Sequence, residues 1–185
     1  MLFTDKKVQL LLFGLLFILF IVINKKNCPC NIPAEKLKDI CYRYEVFGIQ
    51  TNHIYLYMIL GYLFPEFLIT VHIAGILWEL FEMYLDHNEE FATQLFGGCL
   101  KEDKTNNKYI VGRGKEKYIN PIDKFFGIKN SKIHGWHGSV AEIIANIIGF
   151  EIGRQLYSYK VNSYIFISII SSLFGLETLN TKIKI

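Results

Sequence analysis

The chain of 185 residues is one domain's worth of polypeptide, with 51% hydrophobic, 15% aromatic and 20% charged residues. A net charge of +3, without a basic stripe interleaved with aromatics, gives no footing to a nucleic-acid partner, and none is expected. Four cysteines (Cys28, Cys30, Cys41 and Cys99) do not make the dense disulfide framework of a small secreted protein.

Read from the start, Val8 to Ile23 is apolar except for Gln9, with Lys6-Lys7 before it and Lys25-Lys26 after it. Sixteen residues with snorkelling lysines at both ends predict an uncleaved anchor helix near the lower limit for a bilayer span. The anchor and a polar linker with free thiols at Cys28 and Cys30 make up residues 1–45. Val46 to Phe64 is a second span, polar in its first half at Gln50, Thr51, Asn52 and His53. Pro65-Glu66 forces a tight reversal into a third span, Phe67 to Leu85, so these two pair as an antiparallel hairpin.

Residues 88–138 read as a flexible basic loop, with nine Lys/Arg against four Asp/Glu between Lys101 and Lys132. Gly112-Arg113-Gly114-Lys115 lacks the spacing of a phosphate loop. The loop's charge suits anionic lipid headgroups at a leaflet surface. Ser139 to Tyr157 is a fourth span, opened by a capping box of Ser139 and Glu142. Val161 to Leu176 is a fifth, followed by a polar tail. The expected fold is therefore all-α, a polytopic transmembrane helical bundle of about five spans. Residues 46–185 form its membrane domain, with spans at about 46–64, 67–85, 139–157 and 161–176. Basic segments belong on the cytoplasmic side of an integral membrane protein.

Chemistry enters with the third span. At about 100° per residue, His72, Glu79, Glu82 and Asp86 share a stripe about 80° wide on an otherwise hydrocarbon cylinder. Each ionised carboxylate at the centre of such a helix costs about 2.5–3.5 kcal/mol, so these acids need a partner, a cation or a wet cavity. The fourth span aligns Glu142, Asn146, Gly149 and Gly153 on one face, and leaves Glu151 and Arg154 off it. Small residues there let a neighbouring helix approach closely. His53, the pair Glu79 and Glu82, and the pair Glu142 and Asn146 are all expected toward one membrane surface. Carboxylate and amide oxygens suit Ca²⁺ or Mg²⁺. Clustered acids with a histidine also suit acid–base work, and the same groups serve equally as a hydrogen-bonded packing network. His72 is expected to bond between helices, with Trp136 as an interfacial anchor flanked by His134 and His137.

Trp78-Glu79-Leu80-Phe81-Glu82, followed by His87, resembles the W-E-L-x-E-x₄-H signature of the eukaryotic base-exchange phosphatidylserine synthases. Asn146-x-x-Gly149-Phe150-x-x-Gly153 resembles that family's N-x-x-G-I-x-x-G segment, and His53 stands 26 residues before Glu79, close to the family's upstream histidine. Glu142, Asn146 and Gly149 also match, more weakly, a pattern of VanZ-like membrane proteins. The resemblance covers residues 53–87 and 134–153. It implies a transferase of phospholipid metabolism in the endoplasmic reticulum or another endomembrane, exchanging a headgroup for serine with the help of Ca²⁺. Glu79 and Glu82 would hold the metal or polarise the phosphate, His53 would move the proton, and Glu142 would stand for a family aspartate. Asn146, Gly149, Gly153 and His137 (from His134-Gly135-Trp136-His137, in place of a family Trp block) would bind substrate. The other expectation is a non-catalytic membrane protein whose polar cluster packs helices or binds lipid. An ion pathway through so few spans would need oligomerisation.

Overall fold

The computed structural model describes residues 5–27, 45–46, 49–96, 120–128 and 138–183. The described chain is mostly helical. In order it comprises α1 (Lys6–Asn27), a two-residue ladder of β1 (Glu45–Val46) and β2 (Ile49–Gln50), α2 (Thr51–Leu63) and a 3₁₀ turn at Pro65–Phe67. These are followed by α3 (Leu68–His87), α4 (Glu89–Phe96), α5 (Pro121–Phe125), α6 (Val140–Ser158) and α7 (Ser163–Ile183). The chain divides into two compact units, Met1–Arg43 with Leu77–Val140, and Tyr44–Ile76 with Ala141–Ile185. The later half of α3 thus groups with α1.

In the first unit, Leu85 and Ala92 are fully buried, and Ile21, Trp78, Phe81 and Phe96 pack around them. The end of α1 is thus joined to α3 and α4 through an apolar cluster. The expected flexible loop 88–138 contains two ordered pieces, α4 and α5. The second begins as its sequence dictates: Asn120 is the N-cap, accepting the Asp123 amide at 2.8 Å, and Pro121 occupies the first helical position.

The second unit is organised by close approach of α2 and α6. A Cβ on Gly61 would strike the backbone of Phe150, one on Gly149 the backbone of Ile54, and one on Gly153 the backbone of Met58. Glycine here removes the only atom that keeps two helix backbones apart. The expected hairpin of α2 and α3 forms: Tyr57 packs its hydroxyl on Gly75 and its ring against His72, with centroids 6.2 Å apart. At the far end of α2, Tyr62 stacks on Phe166 at 4.1 Å and donates to the Val161 carbonyl at 2.7 Å. That carbonyl follows Lys160, whose left-handed φ of 53° closes α6 with the paired bonds Lys160 N to Tyr157 O and Val161 N to Leu156 O.

Several expectations change. The second span, 46–64, holds a 13-residue helix, which at 1.5 Å per residue reaches about 20 Å, because Ile49–Gln50 pairs with Glu45–Val46 instead of joining the helix. The polar tail continues α7 to Ile183. By length and composition, two helices among the described residues can cross a membrane: Lys6–Ile23 and Pro65–His87. The segment Ser163–Leu173 is a shorter apolar helix, and α6 carries three charged residues.

Several acids lie inside the described structure, and many large apolar side chains lie on its surface. Glu79, Glu82, Asp123, Glu142 and Asn146 are buried, while Ile69, Ile73, Ile76, Leu77, Leu80 and Tyr84 form a continuous exposed ridge along α3. On α6, Ile144, Ile147, Ile148 and Ile152 are exposed opposite the buried face of Glu142, Asn146, Gly149 and Gly153. The predicted stripe of α6 is thus interior, and that of α3 is buried at Glu79 and Glu82 and partly buried at His72 and Asp86.

Overpacking a helix contact costs typically about 1–3 kcal/mol. Gly153→Leu is expected to destabilise by at least that much, read as a fall in thermal midpoint in detergent, because its neighbour is backbone. Gly14→Leu, with nothing within 4 Å of its site, is expected to leave the midpoint unchanged.

Candidate functional site

Each unit holds its own buried polar group. In the second, His53 projects from the first turn of α2, with its side chain 11% exposed. Its Nδ1 lies 3.1 Å from Asn146 Oδ1 and its Nε2 3.7 Å from Glu142 Oε2. An amide oxygen only accepts, so Nδ1 carries the proton and Nε2 of the neutral ring presents its lone pair. That lone pair and the Glu142 carboxylate are both acceptors. They become attractive partners only when a proton or another cation comes to them. The helical spacing of Glu142 and Asn146, four residues apart on α6, brings both side chains to one ring.

Glu142 is itself completely buried, and Oε1 accepts the Gln50 amide at 3.2 Å. Gln50 is the N-cap of α2, provides no side-chain cap, and is followed by a first turn without an acid. Glu142 supplies from another helix the negative charge that the head of α2 lacks.

In the first unit, Glu79 plays the same part. Its Oε2 accepts the Ser139 amide at 3.0 Å, immediately before α6 begins. The capping box expected for Ser139 and Glu142 is thus replaced, since Glu79 takes the reciprocal carboxylate role. Ser139 Oγ donates instead to Asp123 Oδ2 at 2.6 Å, and Asn120 Nδ2 donates to the same oxygen at 2.6 Å. Glu79, Ser139, Asn120 and Asp123 are all at most 2% exposed. Gly138 makes this approach possible, because a Cβ there would strike the Glu79 carbonyl and Met83. Glu82 accepts from the Trp78 indole at 3.0 Å, one turn back on α3.

The predicted residues therefore fall into His53, Glu142 and Asn146 in one unit, and Glu79 and Glu82 in the other. Gly149 and Gly153 face the α2 backbone, the close helix approach expected of small residues on this face. His72 bonds the Leu68 carbonyl of its own helix at 2.7 Å, not a neighbouring helix, and its ring meets Phe150 at 5.1 Å. Glu151 and Arg154 pair with each other at 2.9 Å on the exposed side of α6, consistent with leaving them out. Cys28, Cys30, residues 112–115, His134, Trp136 and His137 lie outside the described residues. Sequence reasoning missed Asn120, Asp123 and Gln50. Asn-Pro-x-Asp carried a readable signal for the first two, an N-cap with an acid at the third helical position. Nothing in the sequence tied Gln50 to Glu142. In comparisons with known proteins, no family model, no curated protein and no solved structure matches this chain.

Removing one partner of a buried hydrogen bond costs about 1–3 kcal/mol. Ser139→Ala and Asp123→Ala are each expected to lose about that much, and the double variant less than their sum, because they share one bond. Asp123→Asn keeps an acceptor for both donors and is expected to lose less than Asp123→Ala. Thermal midpoints in detergent measure all four.

Proposed function

We propose that the chain is an integral membrane protein that exchanges or modifies phospholipid headgroups, in the manner of the phosphatidylserine synthases its motifs resemble. The carrying observation is His53, oriented through Nδ1 by Asn146 and facing Glu142 through Nε2. The buried acids and exposed isoleucine ridges support the membrane setting, since soluble monomers rarely expose contiguous apolar surface of more than a few hundred Å². On this reading α6 and α7 lie in the bilayer of an endomembrane with α1 and α3, and the 13-residue α2, too short to cross alone, packs on α6 within it. The basic segments face the cytoplasm.

In base exchange, the serine hydroxyl attacks phosphorus while the original headgroup alcohol leaves. One P–O bond forms and one breaks. His53 Nε2 takes the proton of the attacking hydroxyl, Glu142 stabilises the resulting imidazolium, and the ring returns the proton to the leaving alkoxide. Asn146 keeps the productive tautomer throughout. The resemblance adds Glu79 and Glu82 as groups for Ca²⁺ or the phosphate. Their carboxylate oxygens are hard donors of the kind such a cation takes. Ca²⁺, when bound, would neutralise charge on the phosphate.

A second reading is favoured by one feature: Glu79 and Glu142 each receive the amide at the head of a helix. On that reading the polar groups pack helices or hold lipid, without catalysis.

Membranes containing the protein, given labelled serine with and without Ca²⁺, separate the two. The enzyme reading expects incorporation into lipid, with a loss of about 10²-fold or more in His53→Ala, the usual scale of a proton-transfer group. Glu82→Ala is expected to abolish the Ca²⁺ dependence. Absence of headgroup turnover with any amino alcohol, in folded protein, overturns it. Glu79→Gln and Glu142→Gln would then act on the thermal midpoint alone.

A further inference from the structure

One surface feature is used by neither reading. Phe125 and Phe126, at the end of α5, are 84% and 59% exposed, with ring centroids 5.3 Å apart in an edge-to-face pair. Two adjacent phenyl rings on a surface ask for an apolar partner. The segment beneath them is firmly built. Asp123 is fully buried on Asn120 and Ser139, and α5 closes on Gly127, whose φ of 70° is the left-handed conformation glycine takes freely. The closing bonds are Gly127 N to Lys124 O at 3.1 Å and Ile128 N to Asp123 O at 3.0 Å. The rings are therefore presented from a fixed base.

Charge identifies what they meet. Lys124 is exposed beside them, and the stretch from Lys101 to Lys132 carries nine Lys/Arg against four Asp/Glu. Aromatic rings flanked by cationic side chains match the headgroup zone of an anionic leaflet, where rings enter the acyl boundary and ammonium groups stay with phosphate. The same unit carries α1, an apolar helix between lysine pairs that is long enough to cross a bilayer. We infer that Phe125, Phe126 and Lys124 form a docking surface for the anionic lipid leaflet. This rests on the membrane setting proposed above and is independent of the headgroup chemistry.

The test uses the full chain in phosphatidylcholine vesicles, with and without phosphatidylserine, carrying p-benzoyl-phenylalanine in place of Phe125. Irradiation followed by mass spectrometry is expected to give lipid adducts at residue 125, several-fold fewer without phosphatidylserine or at molar salt. In wild-type protein, tryptic cleavage after Lys124 is expected to be several-fold slower in phosphatidylserine vesicles than in the F125S/F126S variant. That variant should keep the wild-type thermal midpoint in detergent, because both rings are exposed. Adducts between two chains, or none, overturn the inference, as does equal cleavage of variant and wild type. Alkaline carbonate separates the two levels. A chain that stays with the pellet but gives no lipid adduct refutes the docking surface alone. A chain that is extracted refutes the membrane setting, and the docking surface with it.

Discussion

Everything in this structure follows from the need to keep a carboxylate satisfied away from water. Four acids, Glu79, Glu82, Asp123 and Glu142, are buried, and an ionised acid in such surroundings is tolerated only with donors or charges around it. Two of them are answered by the same device. Glu142 takes the amide of Gln50 at the head of α2, and Glu79 the amide of Ser139 at the head of α6. A helix start offers unsatisfied N–H groups and the positive end of a dipole. Acid and helix end each supply what the other lacks. Asp123 is answered differently, by two side-chain donors on a single oxygen, and Glu82 by an indole.

Glycine sets the distances on which these bonds depend. Gly61, Gly149 and Gly153 bring the backbones of α2 and α6 together, and Asn146 and Glu142 then reach His53. Gly138 does the same for Ser139 against α3. A methyl group at any of these positions meets main chain, which cannot yield as a flexible side chain can. Packing thus precedes the polar geometry: the side chains meet because the backbones are permitted to.

The sequence made one layer of this legible. Period-3.6 patterning located the buried faces of α3 and α6, and the short Pro65-Glu66 connection imposed the hairpin, because both signals are local. The interior position of Glu79, Glu82, Glu142 and Asn146 followed from the expense of exposing acids to hydrocarbon. What failed was whatever depended on partners distant in sequence. Ser139 looked like half of a capping box with Glu142, its neighbour along the chain, but its amide belongs to Glu79, 60 positions earlier. Val46 and Gln50 counted within the second span, although Glu45–Val46 and Ile49–Gln50 pair as a short ladder, from whose end the Gln50 amide reaches Glu142. Asp123 lay within a stretch whose basic composition read as loop, and composition does not register three buried bonds. His72 illustrates the reverse error, since a polar residue on the right stripe found its bond within its own helix.

The histidines differ in where their rings are bonded. His72 and His87 each bond through Nδ1 to the carbonyl four residues earlier, at 2.7 Å. That bond forms on any helix and asks nothing of the tertiary fold. His53 alone among these three directs Nδ1 to a side chain of another helix, Asn146, 93 residues away, and Nε2 to a second, Glu142. Packing alone would be served equally by an apolar side chain at position 53, without a buried amide and acid to be satisfied. An imidazole held by an amide on one side and facing a carboxylate on the other would suit the proton transfer proposed for it. A carboxylate fixed through one oxygen by a helix amide is likewise already oriented when a proton or cation arrives, so capping by Glu142 is compatible with the chemistry proposed for it.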